Sequence, residues 1–352
     1  MQLIVEDILK HAIKMNASDL HMTVGIPATI RVNGELIHMD GKVLTPDDTK
    51  TFVRDITSDA QWVTLNKKGE VDFSYALIGL KRFRVNAYRQ RNAFGAALRL
   101  VNTEVPSYKE LGLPSVIMDL TNKKNGIILV TGPTGSGKST TLASMIDKIN
   151  ATMDRHIITL EDPIEYLFKH KKSIVNQREV GSDTLSFTNA LRASLRQDPD
   201  VILVGEMRDY ETISVALTAA ETGHLVLSTL HTIGASKTID RIIDVFPPNQ
   251  QDQIRIQLAM TLQAVVSQQL LMTADKSKRV PAVEVMISNQ AIKNNIREGK
   301  THQLNNIIQT STQQGMITMD DSLIDLYKKG DITRESVLDH CVDLENIKKV
   351  MF

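Results

Sequence analysis

The sequence predicts an α/β protein in two parts: a mainly parallel sheet covered by helices, and ahead of it a smaller α+β domain. Three observations carry this. From residue 115 onward, apolar runs at 127–131, 156–160, 201–204 and 225–229 alternate with stretches of helical periodicity, the pattern of strands joined by crossover helices. Before residue 101 the signals are instead a hairpin turn and alternating strands. Between the first apolar run and its helix stands Gly132-Pro133-Thr134-Gly135-Ser136-Gly137-Lys138-Ser139-Thr140, a glycine-rich turn in strand-to-helix context.

Within residues 1–101, Ile4, Ile8, Leu9, Ala12 and Ile13 give an amphipathic first helix. Thr29 to Leu36 turns at Asn33-Gly34, and Thr45-Pro46-Asp47-Asp48 is a helix start. Strands are expected at Val71–Leu77, Arg82–Tyr88 and Ala96–Val101. In the middle one, Arg82, Arg84 and Asn86 alternate with Phe83, Val85 and Ala87, so both arginines share a face. Taken alone, that face reads as solvated. Residues 102–114 carry two prolines and a glycine without periodicity, a flexible interdomain linker. Residues 115–273 form the core, and 274–352 read as a mainly helical region with a short strand at 280–287 and helices near 290–298, 301–314, 319–329 and 333–341.

The glycine-rich turn is a phosphate cradle. Gly132, Gly135 and Gly137 allow torsions that turn successive N–H groups inward, while the following helix, Thr140 to Asn150, adds the partial positive charge of its N-terminus. Thr134, Gly135, Ser136, Gly137, Lys138, Ser139 and Thr140 are therefore the nucleotide-binding candidates; Lys138 reaches the β- and γ-phosphates and the Ser139 hydroxyl ligates Mg²⁺. ATP and Mg²⁺ are the expected cofactors.

Bulk properties narrow the partners. Among 352 residues, 41 Lys and Arg balance 41 Asp and Glu, so no global positive field points to nucleic acid or to an anionic membrane. The single cysteine, Cys341, excludes an intrachain disulfide and a four-cysteine zinc site, and fits a reducing compartment. No run approaches the roughly 20 apolar residues of a membrane span. The expectation is a cytoplasmic protein with no direct membrane insertion, acting at the inner face of the membrane through a partner.

Hydrolysis needs a positioned acceptor for the attacking water. After Val201 to Val204 comes Gly205-Glu206, a departure from the usual P-loop strand end, where an aspartate helps to hold Mg²⁺; Glu206 is the expected base. Glu161 and Glu165, after the strand ending at Leu160, are candidates to complete the Mg²⁺ and water shell, so the metal candidates are Ser139, Glu161 and Glu206. His231 follows the strand 225–229 and is a candidate phosphate or subunit sensor; His224, at its start, is open between that role and a structural hydrogen bond, and Thr229 is a possible water or phosphate contact. Arg192 and Arg196 lie four apart on one expected helix, either salt-bridged structure or phosphate contacts.

GPTGSGKST, ITLEDPIE at 158–165, LRASLRQDPDVILVGEMRD at 191–209 and TGHLVLSTLHT at 222–232 resemble the Walker A, Asp box, Walker B and His box of the secretion ATPase superfamily, the hexameric motors of type II secretion and type IV pili. The resemblance runs nearly end to end and is nearest to the pilus-retraction (twitching motility) ATPases. It implies a PAS-like N-terminal domain linked to a RecA-like P-loop domain, assembled as a homohexameric ring. It also implies Glu206 as catalytic glutamate, Arg84 and Arg99 reaching the nucleotide from the N-terminal domain, Arg192 and Arg196 near the phosphates, and an inner-membrane (PilC-like) platform partner. The tetracysteine motif of extension relatives has no counterpart. AIKNNIRE at 291–298, with Ala291, Ile292, Ile296, Arg297 and Glu298, is similar to the retraction pattern AIRNLIRE, with Lys293 and Asn295 as departures. Asn295 is expected on the apolar stripe beside Ile292 and Ile296, altering or weakening the helix's docking. The implied function is an ATP-hydrolysing motor that powers pilus disassembly; an extension, secretion or accessory retraction ATPase, a nucleotide-gated assembly factor and a nucleic-acid translocase are the rivals.

Overall fold

The structure is a computed structural model describing residues 5–77, 81–101 and 104–351. Ile4 of the expected first helix, and Asn102 and Thr103 of the expected linker, lie outside the described residues. The chain divides into two compact units, Met1–Glu104 with Pro163–Leu167, and Val105–Asp162 with Phe168–Phe352.

The first unit begins with α1 (Val5–Lys14), which buries Ile8, Leu9 and Ala12. Then follow β1 (Asp19–Met22), β2 (Thr29–Val32) and β3 (Glu35–His38). Asn33 and Gly34, both at positive φ of 50° and 89°, turn β2 into β3, which is why an Asn-Gly pair stands there. Next come α2 (Pro46–Ile56), α3 (Asp59–Lys68), β4 (Glu70–Ala76), β5 (Arg82–Gln90) and β6 (Ala93–Leu100). Thr45 with Asp48, and Ser58 with Gln61, close reciprocal capping boxes that start α2 and α3. The sheet order is β3-β2-β1-β6-β5-β4, antiparallel throughout. Phe83, Val85 and Ala87 on β5 are fully buried against Phe52 and Val53 of α2, whereas Arg84 faces solvent. The expected alternation therefore holds.

In the second unit, α4 (Ser115–Asp119) leads to β7 (Gly126–Thr131), α5 (Lys138–Thr152), β8 (His156–Glu161), β9 (Ile174–Glu179), α6 (Phe187–Ser194), β10 (Val201–Val204), α7 (Tyr210–Glu221), β11 (Leu225–Leu230), α8 (Ala235–Asp244), α9 (Pro248–Thr261), β12 (Leu262–Met272) and β13 (Arg279–Ile287). The seven-stranded order is β13-β12-β7-β11-β10-β8-β9; every neighbour pair is parallel except β12 with β13. Every residue of β7 and β11 is buried, as for strands with helices on both faces. Ile127 and Leu129 pack on one face with Ile213 of α7, Ile239 of α8 and Leu258 of α9, while Ile128 and Val130 pack on the other with Leu142, Met145 and Ile146 of α5. The strand expected at 280–287 is thus a full sheet member.

The chain closes with α10 (Gln290–Arg297), α11 (Leu304–Thr310), α12 (Met319–Lys328), α13 (Arg334–His340) and α14 (Leu344–Met351). The helix expected over 301–314 is instead α11 with a short 3₁₀ turn at each end, because Ser311 breaks the α-helical torsions at φ −110° and ψ 31°. On α10, Ile292 and Ile296 are fully buried, while Asn295 is half-buried and its amide donates to the Ala291 carbonyl at 2.9 Å. The Asn295 amide thus satisfies itself on its own helix, while both isoleucines reach the core.

Candidate functional site

The phosphate cradle lies at the carboxyl end of β7, the ligand edge of an open parallel sheet. Gly135 and Gly137 take φ of 81° and 88°. Gly137 is also the N-cap of α5 and offers no side-chain cap, so the first turn of the helix presents its backbone N–H groups to the loop side. Lys138 is buried and donates to the carbonyls of Gly132 and Pro133, both at 2.9 Å. Burial pushes its ammonium below the ordinary lysine range, and the nearby Glu206 charge works in the opposite direction. A buried cation held by loop carbonyls, in a ring of amides, is a receptor for a polyphosphate. The Ser136 hydroxyl is also buried and has no hydrogen-bond partner among the described residues.

Glu206 follows β10. Its carboxylate takes Arg208 Nε at 2.7 Å and stands 3.5 Å from His231 Nε2, and His231 itself comes from the end of β11, the adjacent strand. Thr229 does not face outward to a ligand with its hydroxyl; it donates to the Gly205 carbonyl at 2.6 Å, and its own carbonyl accepts the Met207 N–H at 3.2 Å. These two bonds fix the backbone on either side of Glu206. Gly205 is closely packed: a Cβ there would stand 3.2 Å from the Leu160 carbonyl oxygen, tight against backbone, and 3.5 Å from Glu161 Cα.

Glu161 ends β8 and is buried, accepting from the Thr159 hydroxyl at 2.6 Å and the Gln177 amide at 3.1 Å. Glu165 falls in Pro163–Leu167, the segment that clusters with the first unit. Among the described residues no group of three or more His, Cys, Asp or Glu is assembled for a metal ion.

His224 sits at the opposite end of β11 from His231, about 23 Å away along the strand. Its Nδ1 lies 2.9 Å from the Ala219 carbonyl, a structural bond that ties the end of α7 to the strand. Arg192 is on α6 and lies 3.9 Å from Glu211; Arg196 falls two residues past the end of α6 and folds its guanidinium back onto the Arg192 carbonyl at 3.1 Å. The expectation that both ride one helix is corrected, since α6 closes at Ser194.

Arg84 and Arg99 belong to the first unit. They are cross-strand partners on β5 and β6, and Arg99 in turn faces Asp19 on β1, paired at 2.9 Å. The Ser18 hydroxyl and Arg99 hold the Asp19 carboxyl below its usual range despite partial burial, which works the other way and is the largest single influence. Sequence reasoning missed Asp19, and it missed Gln268 of β12, whose amide touches the phosphate loop.

Comparison with known proteins gives the family. The model of the type II/IV secretion system protein family matches residues 1–337. The "Type IV pilus retractation ATPase PilT" of Pseudomonas aeruginosa is 47% identical over 342 residues, 97% of this chain and 99% of that one. The "Twitching motility protein" of Neisseria gonorrhoeae is 49% identical over 307 residues, 87% of this chain and 82% of that one. A crystal structure of the pilus retraction motor PilT with bound ADP superposes with a TM-score of 0.91 at 51% identity, covering 99% of both chains. The chain belongs to the type II/IV secretion system protein family.

Proposed function

We infer that the chain is the ATP-hydrolysing motor of type IV pilus retraction, the activity that underlies twitching motility. One observation carries it: the likeness to a retraction motor solved with ADP extends over 99% of both chains, so that it includes the phosphate loop, Glu206 and the AIKNNIRE helix together.

The residues divide the work as follows. The loop amides and Lys138 hold the β- and γ-phosphates; Ser139 would hold Mg²⁺, which would neutralise charge on the phosphate oxygens. Glu206 orients a water and takes its proton as the water oxygen attacks the γ-phosphorus and the bond to the β-phosphate oxygen breaks, giving ADP and phosphate. His231 and Arg208 hold the Glu206 carboxylate in place. Glu161 and Glu165 serve the water shell. Arg84, Arg99, Arg192 and Arg196 are the candidates to supply positive charge to the transferred phosphoryl.

Six copies form a ring that converts changes of nucleotide state into a pull on a PilC-like platform protein. The motor works in the cytoplasm against the membrane's inner face; among the described residues no helix is long and apolar enough to cross a membrane. Steady-state phosphate release by the purified full chain tests the enzymatic core. Sustained turnover that disappears in Lys138→Ala supports it; nucleotide binding without turnover would make the chain a nucleotide-gated assembly factor instead.

A further inference from the structure

β12 overruns β7. Its register pairs Ser267 with Thr131, the last residue of β7, so Gln268 is the first residue to stand beside the phosphate loop itself. Gln268 is buried; its Nε2 donates to the Ser136 carbonyl at 2.7 Å and its Oε1 accepts from the Thr141 hydroxyl at 2.8 Å on α5. Both bonds are long-range, joining residues more than 120 positions apart in sequence. Two loop glycines are shaped to this strand. A Cβ at Gly132 would stand 2.1 Å from the Gln268 carbonyl oxygen, and one at Gly137 would stand 2.8 Å from its Nε2.

The peptide that Gln268 grips is the one that most needs a grip. It joins Ser136 to Gly137, whose φ of 88° lies in the left-handed region open to glycine, so on the Gly137 side the loop's own torsions hold this peptide plane weakly. In a trans peptide the C=O and the following N–H point in opposite directions. Drawing the Ser136 carbonyl toward β12 therefore turns the Gly137 N–H away from β12, to the side on which an anion at the head of α5 is held.

The neighbouring residue serves the other half of the site from the other face of the sheet. Ser267 Oγ accepts the Gly234 N–H at 2.9 Å, and Glu284, its register partner on β13, accepts the Ala235 N–H at 2.7 Å. Gly234 and Ala235 follow His231 by three and four residues. One dipeptide on β12 thus fastens the phosphate loop on one face and the segment carrying His231 on the other.

We propose that Gln268 is a positioning residue for nucleotide: it sets the Ser136–Gly137 peptide so that the phosphate loop is formed before ATP arrives, and so determines affinity without touching the reacting atoms. This rests on the reading of the loop as an ATP site. Its chemistry predicts a particular ranking of variants. Gln268→Met keeps the volume and removes both hydrogen bonds. Gln268→Glu keeps the acceptor for Thr141 but sets a carboxylate oxygen against the Ser136 carbonyl. Thr141→Val removes one hydroxyl and leaves the loop contact.

The test is titration of the full-length protein with a fluorescent ADP analogue, alongside phosphate release at saturating ATP and a thermal melt without nucleotide. Loss of buried hydrogen bonds of this kind should raise the Kd of Gln268→Met by about tenfold, with Gln268→Glu at least as impaired and Thr141→Val about threefold weaker than the parent. Thr141→Val should add little on top of Gln268→Met, because both act through one network. In each variant kcat falls by a smaller factor than the affinity. Wild-type affinity in Gln268→Met, or an equal loss in kcat and affinity, overturns the proposal; if that variant does not fold, wild-type affinity in Thr141→Val overturns it. Failure of the unmutated protein to bind the analogue would instead overturn the nucleotide reading on which it rests.

Discussion

The Glu206 carboxylate and the His231 imidazole stand 3.5 Å apart, each just past the carboxyl end of one of two adjacent parallel strands. The Glu206 carboxylate also takes Arg208 Nε at 2.7 Å, and its backbone is fixed through Gly205 and Met207 by Thr229. If Glu206 is the base proposed above, it acts in the chemical step and contributes little to holding ground-state nucleotide. Glu206→Gln is expected to cut phosphate release by about 10²–10³-fold. Equilibrium titration should show ADP affinity changed by much less, and a parallel loss of affinity would assign Glu206 to binding instead.

Arg84 and Arg99 face one another across β5 and β6, and Arg99 pairs with the Asp19 carboxylate at 2.9 Å. If the two cations act on the transition state, Arg84→Ala lowers kcat more than it raises the ATP Kd, by about 10²-fold against a few-fold. Equal changes in the two quantities, or none, would remove Arg84 from the catalytic set. Steady-state kinetics paired with nucleotide titration distinguishes these results.

The capping box of α2 makes the first unit sensitive to acid. Asp48 bonds Lys42, then the backbone and side chain of Thr45, and these hold its carboxyl at about 2 instead of the usual 3.8. A carboxyl with a depressed folded-state pKa stabilises the fold above its unfolded pKa, and that contribution is lost as pH falls through its folded pKa. Asp48→Asn should therefore melt lower than the parent at neutral pH, by about 4 °C for the loss of one cap in a domain of this size. The difference should shrink between pH 4 and pH 2, where the parent carboxyl takes up its proton. Thermal melts across that range check both the size and the sign.

On α10 the two kinds of position separate cleanly. Ile296 is fully buried, so Ile296→Ala should destabilise by about 2–4 kcal/mol. Asn295 is half-buried with its amide satisfied on Ala291, and Asn295→Leu should shift stability by less than about 1 kcal/mol. Denaturant unfolding measures both. A large change at Asn295 would mean that the helix packs differently from the arrangement described.

Much of this was legible from pattern. The Asn33-Gly34 turn, the Thr45 helix start, the alternation on β5 and the strand-to-helix setting of the phosphate loop all depend on neighbours in sequence, and each is found where expected. What escaped depends on distant partners. β12 follows α9 with no turn residue between Thr261 and Leu262, and its Ser267-Gln268-Gln269 interrupts the apolar run, so neither boundary nor periodicity marks it as a strand. The roles of Gln268 and Glu284 exist only through contacts with residues far away in the chain. β9 is an edge strand that exposes Ile174 and buries Val175, a mixed signal in six residues. For α3 a visible signal was passed over: Ser58 and Gln61 have capping-box spacing, although only Leu65 on that helix is buried.

The central claim is that hydrolysis at this site shortens pili. Its most direct test is imaging of labelled fibres, with counts per cell, in the native host carrying Lys138→Ala in the chromosomal copy. The account predicts cells with many pili that extend and never retract. Bald cells, or wild-type retraction, would contradict it.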